Sequence, residues 1–134
     1  MSVKVLSKDH RIIIFASDIG LKILAKSKRI HCDGTFISAP SQFEQVYIIH
    51  GEYKGNIMHF VFALLTGKSE KLFRKMIEEI NFGVLNLGLD IRNDFQQIFV
   101  DFEQAAIKTF SYHFPQSKIK GCFSITANVC IESW

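Results

Sequence analysis

Alternating apolar and polar positions divide the chain into short strands separated by a few helical stretches. Runs rich in Val, Ile, Phe and Tyr, bounded by Gly, Pro, Asp or Ser, are typical of β-strands. Such runs predict strands over residues 11–16, 29–37, 43–50, 57–65, 97–100 and 118–123. The run over 97–100 is almost wholly apolar, which is the pattern of a strand covered on both faces.

Three other stretches carry apolar residues at helical spacing. The clearest follows Ser69, a predicted N-cap, and presents one apolar side formed by Leu72, Phe73, Met76, Ile77 and Ile80. A second predicted helix is capped by Asp18 and runs to Lys26. A third covers residues 106–114 and ends before Pro115.

The order of these elements predicts the sheet. The strands over 43–50 and 57–65 are joined by a short loop over 51–55, so they must be antiparallel neighbours. The strand over 29–37 pairs with the first of them in the same way. The later strands alternate with helices, which requires parallel pairing through a right-handed crossover. We therefore expect an α/β fold with a mixed five-stranded sheet, three strands antiparallel and then two parallel, and flanking helices.

Composition limits the class of protein. The 134 residues suffice for one domain, and 48% hydrophobic with 22% charged residues is typical of a globular chain. The formal charge of +3 permits contact with nucleic acid without arguing for it. The three cysteines are widely spaced and form no CxxC pair, which favours reduced thiols and an intracellular location. We expect no signal peptide and no membrane span.

One aspartate falls inside the predicted strand over 29–37. A charged side chain is rare there and costly to bury unless it is paired or binds a metal. Gly34 follows Asp33 and allows another backbone or a ligand to come close. An Asp-Gly pair alone usually marks a hairpin turn, but the β-forming residues on both sides argue against a turn.

A second aspartate, Asp101, ends the strand over 97–100. In the expected sheet this strand lies beside the one that carries Asp33, so both carboxylates face each other where α/β sheets place their sites. Oxygen ligands of this kind hold Mg²⁺ or Mn²⁺, and paired ions support cleavage of a phosphodiester. The alternative, in which Asp101 only caps the next helix, stays open.

Several segments resemble the Mutator-like element (MULE) transposase domain. They are Asp33-Gly34-Thr35-Phe36, the strand over 43–51, Asp101-Phe102-Glu103 and Gly121-Cys122-Phe123. The resemblance covers roughly residues 11–123 and implies a ribonuclease H-like fold with an Asp-Asp-Glu triad that acts on DNA through Mg²⁺ or Mn²⁺. Asp33 and Asp101 match the first two members of the triad, so the resemblance implies that they are catalytic and bind the metal.

The resemblance also implies a layout for the chain. A strand and helix over 1–28 lead into a partial core over 29–123, followed by a divergent tail over 124–134. The third acid of the family lies further downstream. Glu132 lacks a helical context, and Glu103 fits a first-turn helix position better than a metal ligand. The implied protein is a truncated transposase core, inactive on its own, in the nucleus, with DNA as partner and no small-molecule substrate; homo-oligomer formation is left open.

Other interpretations remain beside this one. The chain is alternatively a non-enzymatic, transposon-derived module that binds protein or nucleic acid. Zinc binding is a further alternative, with the candidate ligands His31, Cys32, His113 and Cys122. It is disfavoured because adjacent strand residues point to opposite faces. His50 and His59 are interpreted as strand residues near a sheet edge rather than as general bases.

Overall fold

The computed structural model of the protein describes residues 4–8, 11–36, 43–91, 95–101 and 104–122. The strands are β1 (Lys4–Lys8), β2 (Ile12–Ala16), β3 (Arg29–Phe36), β4 (Gln45–Tyr53), β5 (Asn56–Leu65), β6 (Gln97–Asp101) and β7 (Lys118–Cys122). The helices are α1 (Asp18–Lys26), α2 (Glu70–Leu85) and α3 (Gln104–His113). The tail over 124–134, with Glu132, and also Glu103 lie outside the described residues.

All the described strands belong to one sheet, in the order β1-β2-β5-β4-β3-β6-β7. The strands β3, β4 and β5 form an antiparallel meander, and β6 and β7 continue the sheet parallel to β3. This pairing of the strands confirms the predicted α/β arrangement, with antiparallel strands followed by parallel ones. The predicted count of five strands was wrong, because β2 pairs with β5 and β1 pairs with β2, which makes seven.

The three helices pack on one face of the sheet. Alternate strand residues point to that face and are fully buried, among them Ile14 of β2, Val61 of β5 and Val100 of β6. They join Phe73 of α2 and Phe110 of α3 in a single apolar cluster. No helix of the described part lies on the opposite face, where some strand side chains, such as Phe62, are exposed and others, such as His50, are buried.

A tight turn joins β4 to β5. Lys54 and Gly55 both have positive φ, at 52° and 81°, which matches the twist of a two-residue hairpin. The predicted loop over 51–55 is therefore shorter than expected, and Gly51 lies within β4. A Cβ atom at Gly51 would lie 2.0 Å from the Phe60 ring, so the ring fills the space that glycine leaves.

Two helix starts show how well capping could be predicted. The amide of Leu72 donates to Ser69 Oγ at 3.2 Å, which confirms Ser69 as the cap of α2. The cap of α1 is Ser17, whose Oγ accepts from the Gly20 amide at 2.9 Å, and the predicted cap Asp18 was wrong. Asp18 lies in the first turn, where it pairs with Lys4 and where its negative charge interacts favourably with the positive end of the helix dipole.

None of the helices in the described part of the chain combines the length and apolarity that a bilayer-spanning helix needs.

Candidate metal site

Asp33 and Asp101 are carried by neighbouring parallel strands. The strands β3 and β6 pair in register up to Cys32 opposite Val100, so the next residues, Asp33 and Asp101, lie side by side. Cys32 and Val100 are fully buried on the helical face. Because strand side chains alternate, both aspartates point to the opposite face, where each is half-buried.

A backbone contact links the two strands at this point. The Gly34 amide of β3 donates to Asp101 Oδ2 over 3.4 Å, a long hydrogen bond that holds the Asp101 carboxylate against β3. Asp101 is the last residue of β6, whereas α3 begins at Gln104. The interpretation of Asp101 as the cap of this helix stays a prediction, because residues 102–103, between Asp101 and Gln104, lie outside the described residues.

Gly34 makes room for neighbouring side chains on the helical face. A Cβ atom there would lie 2.6 Å from Gln45 Oε1 and 3.1 Å from the Tyr47 ring. Gln45 is itself fixed, because its amide donates to the Gly67 carbonyl at 2.8 Å. The close approach expected at Gly34 is thus explained by packing of β4 residues, on the face opposite to the aspartates.

Burial changes the acidity of the groups around the pair. It raises the pKa of Asp33, while the interaction of the Asp33 carboxylate with the Gly34 backbone acts in the opposite direction. The pKa of the Cys32 thiol is raised well above its ordinary value by burial and further by the charges of Asp101 and Asp33. Cys32 is therefore a protonated, inert core residue rather than a nucleophile or a metal-binding thiolate.

A row of side chains, most of them aromatic rings, crosses the same face of the sheet, two residues before Asp33 in β3 and two residues before Asp101 in β6. The strand registers place Lys120, Phe99, His31, His50 and His59 directly opposite one another across β7, β6, β3, β4 and β5. The rings of His31 and Phe99 stack at 4.7 Å, and those of His50 and His59 lie 4.3 Å apart. The row runs parallel to the aspartate pair and adjoins it.

The row contains charged contacts as well as stacked rings. Arg29 and Lys120 lie over the Phe99 ring, at 5.2 Å and 5.9 Å from its centroid. Glu52 contacts both Arg29, at 3.4 Å, and His31, at 3.2 Å. Two cations therefore approach the face of the sheet that carries Asp33 and Asp101.

The sequence-based interpretation of His50 and His59 as residues near a sheet edge was wrong. His50 lies in β4, the middle strand of the seven, and not near a sheet edge. Burial lowers the pKa of His50 to about 4, and positive charge on His59 and His31 acts in the same direction. The pairing could have been found, because His50 and His59 are equally far from the Lys54-Gly55 turn.

The zinc interpretation is not supported by these positions. His31 and Cys32 point to opposite faces of β3, and His113 ends α3, away from Asp101. Over the described ranges no group of three or more His, Cys, Asp or Glu side chains is arranged to hold a metal ion. Within the described residues, Asp33 and Asp101 are therefore two candidate metal ligands without a third beside them.

A comparison with protein families matches residues 29–128 to the model of the MULE transposase domain. The match covers well over half of the sequence. The chain belongs to the MULE transposase domain family. In this MULE transposase domain the matched segment begins with the first residue of β3 and includes both Asp33 and Asp101. A comparison with curated proteins gave no match.

Proposed function

We propose that this MULE transposase domain has a ribonuclease H-like core that binds Mg²⁺ or Mn²⁺ at Asp33 and Asp101 and serves metal-dependent cleavage and strand transfer of DNA. The observation that supports this proposal is the placement of both carboxylates side by side on adjacent parallel strands. Asp101 ends β6, and Asp33 lies beside it within β3, so the pair is at the carboxyl end of β6, the region where ligands bind in α/β sheets. DNA as the partner is consistent with a nuclear location.

The donor set fits the proposed ions. Two carboxylates on the accessible face offer the hard oxygen ligands that Mg²⁺ and Mn²⁺ prefer. Such ions, when bound, activate an attacking oxygen and stabilise the leaving oxygen of a phosphodiester. In the protein, Asp33 and Asp101 hold the ions, the Gly34 amide orients Asp101, and the buried Cys32 thiol takes no part.

Two carboxylates hold such ions less firmly than three. The described residues provide no third ligand in the same group. Loss of a ligand weakens metal affinity and lowers activity by large factors. We therefore propose that this chain does not process DNA on its own and that a further carboxylate completes the site.

Thermal unfolding with and without metal tests the proposed site. A ligand that binds only the folded state raises the melting temperature, so millimolar Mn²⁺ is expected to stabilise the wild-type chain. The shift should disappear in Asp33→Asn and in Asp101→Asn. It should persist in Asp18→Asn, the matched control, because Asp18 lies on α1 and pairs with Lys4. An equal shift in Asp33→Asn would contradict the proposal.

The same variant has an expected effect without metal. Because the pKa of Asp33 is raised in the folded state, the ionised carboxylate opposes folding at pH 7. Asp33→Asn removes that charge and keeps the shape of the side chain. We expect Asp33→Asn to melt at a higher temperature than the wild type in the presence of a chelator, although it loses the response to Mn²⁺.

A second candidate function is a non-enzymatic module that binds protein or nucleic acid. The observation that favours it is the pair of carboxylates, where the enzyme class uses three. This candidate predicts no melting response to Mn²⁺ and unchanged DNA binding in Asp33→Asn. Metal-dependent nicking of a labelled duplex that is lost in Asp33→Asn would decide in favour of the enzyme.

A further inference from the structure

A cavity lies in the cleft between α2 and α3, far from the aspartate pair. Its volume is about 210 Å³, and it is lined by Ile77, Glu78, Asn81, Ile91, His113 and Phe114. His113 is the last residue of α3, whereas Asp101 precedes the start of that helix. At 1.5 Å per residue the helix separates them by roughly 14 Å, so the cavity is a separate place from the proposed metal site.

The two sides of this cavity differ in chemistry. One side is apolar and consists of Ile77, Ile91 and the Phe114 ring, all of them buried. The other side carries a carboxylate, an amide and an imidazole, from Glu78, Asn81 and His113. Glu78 is exposed and lies at the opening, while Asn81 and His113 are half-buried. An apolar wall with a few convergent polar groups is the lining of many ligand sites, and the small volume suits a small group rather than a large molecule.

Polar atoms around the cavity are buried without hydrogen bonds. In the part of the chain that the structure describes, two atoms that line the cavity, Asn81 Oδ1 and His113 Nε2, are buried and have no hydrogen-bond partner. An unsatisfied buried polar group costs about 1–3 kcal/mol. Their grouping at one cleft marks a place where a bound molecule with hydrogen-bonding groups gains free energy.

The charges around the cavity favour a ligand that donates hydrogen bonds over a ligand with negative charge. Burial lowers the pKa of His113, with Glu78 opposing this shift and Arg74 adding to it, so the imidazole is neutral at neutral pH. The Arg74 guanidinium is engaged elsewhere, since it pairs with Glu70 at 2.8 Å and lies over the Tyr112 ring at 4.6 Å. Glu78 therefore leaves a negative charge at the opening, next to neutral groups that can accept hydrogen bonds.

We propose that the cleft between α2 and α3 binds a guanidinium group, presented by an arginine side chain of a partner protein or by a small free guanidine. A guanidinium is planar and positively charged, and it has five N–H donors and no acceptor. Its edge donates to Glu78, Asn81 and His113. Its flat faces and its alkyl stem pack on the apolar side formed by Ile77, Ile91 and Phe114. The site is independent of the proposed metal chemistry.

Titration of the full chain with agmatine, a guanidinium on a short aminoalkyl stem, tests the proposal. Backbone amide NMR shifts report binding, and 1,4-diaminobutane, which has the same stem without the guanidinium, is the control ligand. We expect saturable shifts at α2 and α3 residues with agmatine alone. Glu78→Gln should weaken binding at least tenfold, whereas Glu79→Gln, a matched change at a residue that does not line the cavity, should leave it unchanged.

Further outcomes separate the alternatives. Tighter binding of a Gly-Arg-Gly peptide than of agmatine supports a protein partner, and the reverse supports a free guanidine. Equal binding of 1,4-diaminobutane and agmatine, or equal affinity in Glu78→Gln and Glu79→Gln, would overturn the proposal. The experiment is done without divalent metal, and Asp33→Asn is expected to bind agmatine normally, so failure at one site is distinguishable from failure at the other.

Discussion

Neighbouring residues of β3 have opposite environments, and this explains why an acidic residue is tolerated inside a strand. Cys32 is fully buried under the helices, whereas Asp33 points to the accessible face and stays half-buried. The partial burial raises the pKa of Asp33 without removing its contact with solvent. Strand alternation alone thus produces an inert thiol and a candidate ligand at successive positions.

The pKa of His50 predicts a loss of stability in mild acid. Its value is about 4 in the folded protein, against about 6.5 in the unfolded chain, so the unfolded state binds the extra proton between these values. The contribution of a neutral His50 is complete above about pH 6.5 and is lost as the pH falls toward 4. One proton limits the effect to less than about 1.4 kcal/mol per pH unit.

Urea denaturation at several pH values measures this effect. We expect the free energy of unfolding to fall more steeply between pH 6.5 and 4 in the wild type than in His50→Gln. Carboxylates that titrate in the same range contribute equally to both proteins and cancel in the comparison. Parallel curves for the two proteins would show that His50 does not titrate as its burial indicates.

At the scale of elements, the β4–β5 hairpin depends on close packing at one glycine. A tight turn at Lys54-Gly55 joins the two strands, and their pairing register shifts between Ile49 and His50 of β4. Near this irregularity the Phe60 ring occupies the space beside Gly51, where a Cβ atom would lie 2.0 Å away. The hairpin therefore has no room for a larger residue at this position.

Gly51→Ala is expected to destabilise the protein through overpacking. The new methyl group forces the buried Phe60 ring to move, at a cost of about 1–3 kcal/mol or more. Chemical denaturation should show a smaller cost for the pair Gly51→Ala with Phe60→Leu than for the sum of the single changes. Gly67→Ala is the control, since its Cβ atom would lie 3.6 Å from Leu72 and should be tolerated.

The elements with strong local signals were predictable from the sequence. The helix after Ser69 and the antiparallel meander follow from the capping residue, the apolar spacing and a short turn, and all are confirmed. The strand β1 was not predicted, because its few residues include two lysines and its pairing with β2 depends on tertiary contact. The cavity between α2 and α3 had no sequence signal, since packing of separate elements creates it.

At the scale of the whole molecule, the N-terminal segment is part of the sheet. The family match begins at residue 29, yet β2 pairs along its whole length with β5. Ile12 and Ile14 of β2, like Leu21 of α1, are fully buried in the common core. The matched segment therefore lacks a strand and a helix on which its own core depends.

Truncation tests this dependence. A chain that begins at Arg29 is expected to lose cooperative unfolding, because it exposes the β5 edge and removes several buried residues from the core. Removal of residues 1–10 alone should only lower the melting temperature, since β1 pairs with β2 alone and Val5 is 49% exposed. Circular dichroism melts compare the two chains. A sharp transition in the chain that begins at Arg29 would show that the N-terminal segment is not needed for cooperative folding.

The strand order also has a consequence during synthesis on the ribosome. The hairpin of β4 and β5 is local and forms early, whereas β6, which pairs with β3, is made much later. Until β6 emerges, the nascent sheet ends at β3, and an unprotected edge strand invites pairing with other nascent chains. Asp33 and Arg29 place charges of opposite sign on this temporary edge. Charges on an edge strand oppose edge-to-edge pairing, so we expect Asp33, the proposed metal ligand of the finished protein, also to reduce association of unfinished chains.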